Sequence, residues 1–124
     1  MTKPILPAEV AAAVVNPAAY GAWDPLHEQL AWARANAPLA VAENHDHDPF
    51  WLVTRHADIM AISRDPQRFA NGIRPTVLTN RDGEALARAA TPNNDGHLIR
   101  SLVQMDAPDH MKYRLLTQSW FMPK

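Results

Sequence analysis

The stretch M-D-A-P-D-H-M-K-Y-R-L-L-T-Q-S-W-F, Met105 to Phe121, reads as a helix that is buried on one side and carries two cationic donors on another. Asp106 is placed to cap it. Pro108 falls in the first turn, where its missing N–H would have no helical partner anyway. Asp109 adds negative charge at the positive end of the helix dipole. His110 and Arg114 are four residues apart, and at about 3.6 residues per turn they point in nearly the same direction. Both charged and unpaired on an exposed helix, they repel by only ~0.2–0.5 kcal/mol. Each charge-assisted hydrogen bond to a carboxylate contributes ~1.5–3 kcal/mol. The pair therefore makes most energetic sense when both donors reach one anion. Spacing alone leaves a solvated helix face open as the alternative, because surface Arg and His are ordinary.

Composition narrows the classes around this helix. A length of 124 residues fits one small domain or part of a larger one. Hydrophobic residues make up 47%, but many are alanine, so the core per residue is thinner than that figure suggests. A formal net charge of -1 without a basic stripe argues against nucleic acid as a partner. The chain has 0 cysteines, which excludes disulfides, thiolate nucleophiles and zinc-thiolate sites within it. No apolar run approaches the ~20 residues of a membrane span. Val10 to Val15 is too short and too interrupted for a signal peptide, so the expectation is a cytoplasmic protein with no membrane association.

The rest of the chain reads as mainly α with a small β hairpin. Residues 1–22 read as a loose leader with one short helix near Glu9 to Val15. Asp24-Pro25 starts a helix over 25–36, with Asp24 as N-cap, Leu26, Leu30, Ala33 and Ala37 at helical spacing, and Pro38 beyond its end. Leu39 to Glu43 and Phe50 to Thr54 are strand-like runs joined by N-H-D-H-D-P, which suits an antiparallel hairpin. R-H-A-D-I-M-A-I-S-R-D-P returns to helical period until Pro66. Residues 70–104 are broken by Gly72, Pro75, Gly83, Pro92, Asn93, Asn94 and Gly96, with one short helix expected from Glu84 to Ala90.

Other candidate sites are weaker. His45 and His47 in H-D-H-D share a side only in extended chain, and one turn supplies too few fixed ligands for a closed metal site. No metal is expected. His56 and Asp58 lack a nucleophile or orienting third group and read as the surface start of a helix. Trp23, Trp32, Trp51 and Trp120 are spread over four elements, and core anchoring is their ordinary use.

The context of the opening stretch points further. M-D-A-P-D-H-M-K-Y-R resembles the segment Asp-Pro-Pro-x-His-x-x-x-Arg of bacterial cytochrome P450 enzymes, the haem-thiolate monooxygenases, with Ala107 where the family usually has its first proline. P-L-A-V-A-E-N-H-D-H-D-P-F-W-L-V-T-R-H-A-D-I-M looks like the family's first hairpin running into its B helix, and D-P-Q-R-F-A-N-G like the B-helix exit. Trp51, Y-R-L-L-T-Q-S-W-F and S-L-V-Q-M-D are similar to terpene-hydroxylating members. The resemblance covers nearly all of residues 20–124, with three motifs in order.

The resemblance implies the N-terminal portion of that fold: A helix, first sheet, B helix, B–C loop over 70–104 and C helix, incomplete as a domain. It implies that His110 and Arg114 bind the haem propionates. It also implies that Ile99, Leu102 and Val103 line the substrate pocket, the alternative being that they seal the loop against the core. The parent activity it implies is hydroxylation of a small apolar substrate, terpenoid- or steroid-like, using O2 and electrons from a redoxin and its reductase. The cysteine that ligates iron in the family, its Glu-x-x-Arg pair and its acidic-Thr oxygen-activation helix are not in these 124 residues. The expectation is thus an N-terminal fragment of one domain, residues 1–124, with no catalytic residue of its own and inactive alone. A small non-enzymatic helical interaction module is the alternative.

Overall fold

The computed structural model describes residues 3–74 and 78–123, and it divides into two compact units, up to Arg64 and from Asp65. Met1 and Thr2 of the leader and the expected breaker Pro75 lie outside the described residues.

The first unit is built on the hairpin. β1 (Leu39–Ala42) pairs antiparallel with β2 (Phe50–Val53), Leu39 opposite Val53 and Ala42 opposite Phe50. Thr54 extends the ladder, its N–H and hydroxyl both donating to the Pro38 carbonyl. The connecting turn is organised by Asn44, whose Oδ1 accepts from the backbone N–H of Asp46 and of His47.

The leader is ordered rather than loose. Ile5 bridges to Val41 in parallel, with Leu6 N–H donating to the Val41 carbonyl at 2.9 Å and Val41 N–H to the Pro4 carbonyl at 2.8 Å. α1 (Ala8–Ala13) follows, then α2 (Pro17–Gly21), which the sequence reading omitted. Asn16 caps α2 by accepting from Ala18 N–H, and Pro17 opens it. α3 (Trp23–Asn36) begins two residues before the expected 25, with Ala22 at the N-cap position. Asp24 is therefore inside the first turn and not the cap; its charge still favours the helix dipole, and Pro25 still falls where an N–H has no helical partner. α4 (His56–Ser63) runs as the period predicts.

Leu6, Val10, Ala11, Ala33, Ala40 and Ala42 form the core of this unit, with Ala37, Phe50 and Leu52 against it. Leu26 is also buried, at 2% exposure. The alanines let the leader, α3 and β1 approach closely, at the cost of little apolar area apiece. The tryptophans do not anchor this core, contrary to expectation: Trp23, Trp32, Trp51 and Trp120 are all exposed, because the buried positions are small and already filled. Trp23 instead stacks at a tilt on His27, ring centroids 4.4 Å apart.

In the second unit α5 (Arg81–Ala90) starts three residues before the expected Glu84, because Asn80 caps it by accepting from Gly83 N–H at 2.8 Å. A short 3₁₀ turn, Leu102–Gln104, is closed by a capping box with Ser101. α6 (Asp109–Phe121) has Pro108 at its N-cap position, outside the helix, with no side-chain cap. Nor is α6 buried: Leu115, Leu116, Trp120 and Phe121 are exposed, the last two at 85%.

If the leader carries the core, Leu6→Ala is expected to destabilise the first unit by about 2–5 kcal/mol, the range for truncating a buried leucine. Chemical denaturation followed by circular dichroism measures it; a loss below ~0.5 kcal/mol, the scale of a surface change, sinks this reading.

Candidate anion site on the last helix

α6 places His110 and Arg114 one turn apart, as the spacing predicts. His110 is half-buried and Arg114 exposed. Among the described residues the Arg114 guanidinium makes no hydrogen bond or ion pair. The neighbouring Lys112, by contrast, is engaged by Asp109 at 3.0 Å. A charged, planar, five-donor group left unspent beside a second donor is the chemistry that takes a carboxylate. Two such donors one turn apart suit an anion with carboxylate oxygens, the chemistry that a haem propionate would offer.

Asp106 does not cap α6 with its side chain. Its main-chain carbonyl accepts from His110 N–H at 3.0 Å, while its carboxylate turns to a distant segment. There it accepts from Asn71 N–H at 2.8 Å and from Gly72 N–H at 2.6 Å. These two backbone bonds hold the Asp106 carboxyl below its ordinary range, and attraction to His110 adds to the effect. Sequence reading missed this, since an Asp two residues before a helix proline reads locally as a cap. A second carboxylate, Glu84, is likewise lowered, by Arg74 first and then by Arg88. That cluster braces α5, where Arg88 also donates to the Asn94 carbonyl at 3.0 Å.

The three apolar candidates lie just before α6. Ile99 is 78% and Val103 73% exposed, and Leu102 is half-buried. Leu98 and Ile73, not singled out from the sequence, are exposed as well. The histidines of the hairpin turn are part of the turn: His47 Nδ1 donates to Asn44 Oδ1 at 3.0 Å, and His45 Nδ1 lies 2.8 Å from Asp46. Among the described residues no group of three or more His, Cys, Asp or Glu could hold a metal ion, and no helix is long and apolar enough to cross a membrane.

No family model matches the chain. Individual proteins do. Cytochrome P450-terp of Pseudomonas sp is 36% identical over 118 residues, covering 95% of this chain and 27% of that protein. Mycinamicin VIII C21 methyl hydroxylase of Micromonospora griseorubida is 33% identical over 100 residues, covering 81% of this chain and 23% of its own length. The crystal structure of CYP108D1 from Novosphingobium aromaticivorans DSM12444 superimposes with a TM-score of 0.86 and 45% identity, over 97% of this chain and 29% of that one. The chain thus spans only 23%, 27% and 29% of these three relatives' own lengths.

The Asp106 tether has a defined acid limit. The carboxyl titrates below its ordinary 3.8 in the folded chain, so the stability it contributes is fully present above that value and is lost as pH falls through the folded one. In an NMR pH titration the movement of the Asn71 and Gly72 amide signals is expected to be centred below 3.8. Movement centred above 3.8 would contradict the tether.

Proposed function

The chain belongs to the cytochrome P450 family, matching the N-terminal part of that fold, and from this premise we propose that it is part of a haem-dependent monooxygenase. The reaction proposed for the whole protein inserts one atom of O2 into a C–H bond of a small apolar substrate of terpenoid or steroid type, the other atom leaving as water with two electrons and two protons. A redoxin and its reductase deliver the electrons. Haem, when bound in the whole protein, would supply the oxygen chemistry. What this chain's residues do is bind and orient. Arg114 and His110 hold the propionates, the guanidinium as a planar fork and the imidazole as a single N–H donor. Ile99, Leu102 and Val103 form one apolar wall of the substrate space and exclude water from it.

The unspent Arg114 guanidinium, one turn from His110, carries this reading. Support for the substrate class comes from two directions: the exposed side chains ahead of α6 are apolar, and one relative hydroxylates a methyl carbon. With 0 cysteines, the 124 residues alone lack the iron ligand and are inactive in this proposal.

Absorbance titration of the chain with haem, and with haem whose propionates are esterified, tests the clamp. Haem is expected to bind at least about tenfold more tightly than the ester, since a charge-assisted hydrogen bond contributes ~1.5–3 kcal/mol. Arg114→Leu is expected to remove most of that difference. Equal affinities for the two haems in the unaltered chain sink the propionate assignment. A thiolate-type carbon monoxide spectrum from the reduced complex would overturn the inactivity.

A further inference from the structure

Gly72 is held from two sides. Its N–H donates to Asp106 Oδ2, alongside Asn71 N–H on Oδ1, and its carbonyl accepts from His97 Nε2 at 3.1 Å. The carbonyl can only accept, so the hydrogen of His97 sits on Nε2. His97 is the one buried polar side chain among the described residues, at 8% exposure, and its Nδ1 is buried without a partner. An imidazole sunk this far, with one nitrogen unsatisfied, is costly to place. The hydrogen bond to Gly72 is what the placement obtains in return. A side chain at this position would press on the Asp106 carboxylate: a Cβ there would lie 2.9 Å from Asp106 Oδ2, with the Gln104 carbonyl in ordinary contact at 3.5 Å.

We propose that Gly72 is the catch of a two-jawed latch, Asp106 and His97 being the jaws, that closes the chain between Gly72 and Asp106 and positions the start of α6 against it. Leu98, Ile99, Leu102 and Val103 lie between the two jaws in sequence, and His110 and Arg114 follow the second. Whatever the apolar side chains and the cationic donors contact, the latch sets the spacing between them. Asp106 and His97 are positioning residues here, and the inference stands on these hydrogen bonds independently of haem binding.

A shared catch makes the jaws interdependent, because each one pre-orders the glycine that the other must find. Loss of His97 is therefore expected to loosen amides that His97 does not touch. In the full 124-residue chain, His97→Leu is expected to speed hydrogen exchange at the Asn71 and Gly72 amides about tenfold. Asp106→Asn is expected to do so about ten- to a hundredfold, the effect of weakening hydrogen bonds to a charged acceptor. His97→Gln, whose amide nitrogen reaches as Nε2 does, restores the slow rates. Unaltered exchange at Asn71 and Gly72 in His97→Leu overturns the latch, as does acceleration spread evenly through α5. If His97→Leu does not fold, His97→Asn carries the same test: its shorter amide falls short of the Gly72 carbonyl and leaves Asp106 untouched. The neighbouring Asn71 amide is then expected to exchange about tenfold faster, and an unchanged rate overturns the proposal.

Discussion

The carboxylate of Asp106 has two uses open to it, and it takes the long-range one. Local chemistry offers the free N–H groups at the start of α6, where an acceptor two or three residues upstream commonly serves. Asn71 and Gly72 offer two converging N–H groups 35 and 34 residues away. Two charge-assisted bonds outweigh one, and the start of α6 still gains a negative charge from Asp109. The second unit depends on that choice. It ties the approach to α5 to the base of α6, across a segment that the Glu84 cluster, the His97 bond to Gly72 and one 3₁₀ turn also hold.

The first unit answers a different constraint, a shortage of large side chains at the buried positions. Where Ala11, Ala33, Ala40 and Ala42 are sealed completely, the elements must come close, and each contact contributes little area. The leader resolves this by adding Leu6, Val10 and Val14 and by pairing its backbone with Val41. Without residues 4–14, β1 would present both a bare edge and a bare face. A proline-rich start can therefore be structural when the prolines sit before a helix or at its first position, as Pro7 and Pro17 do.

What was legible in the sequence followed from period and punctuation. The hairpin, α3, α4 and α6 each declared themselves by spacing and by flanking turn residues, and the four-residue interval of His110 and Arg114 fixed their shared direction before any coordinates. What stayed hidden was governed by partners far along the chain. Asp24 and Asp106 both read as caps, because the cap rule is local. Ala22 holds the cap position of α3, and Asn71 and Gly72 claim the carboxylate of Asp106. His97 gave no signal at all; a single histidine between Gly96 and Leu98 says nothing about a carbonyl 25 residues earlier. The tryptophans misled for the opposite reason, since bulk alone was read as burial.

α6 then poses a question that its own unit does not answer. By helical period His110, Arg114, Thr117 and Phe121 follow one another at intervals of four, three and four, so the two cationic donors share their side with a large aromatic ring. Leu115, Leu116 and Trp120 lie on the other sides, exposed as well. A helix optimised for solvent would not spend so much apolar surface, and one optimised for a core would not align a guanidinium with it. A flat apolar body with anionic ends satisfies both halves of that surface at once, the ring area against the aromatic and the carboxylates against the donors. The proposed haem is a group of that kind, and it would account for the side of α6 that carries His110, Arg114 and Phe121, while Leu115, Leu116 and Trp120 on the other sides call for a different partner.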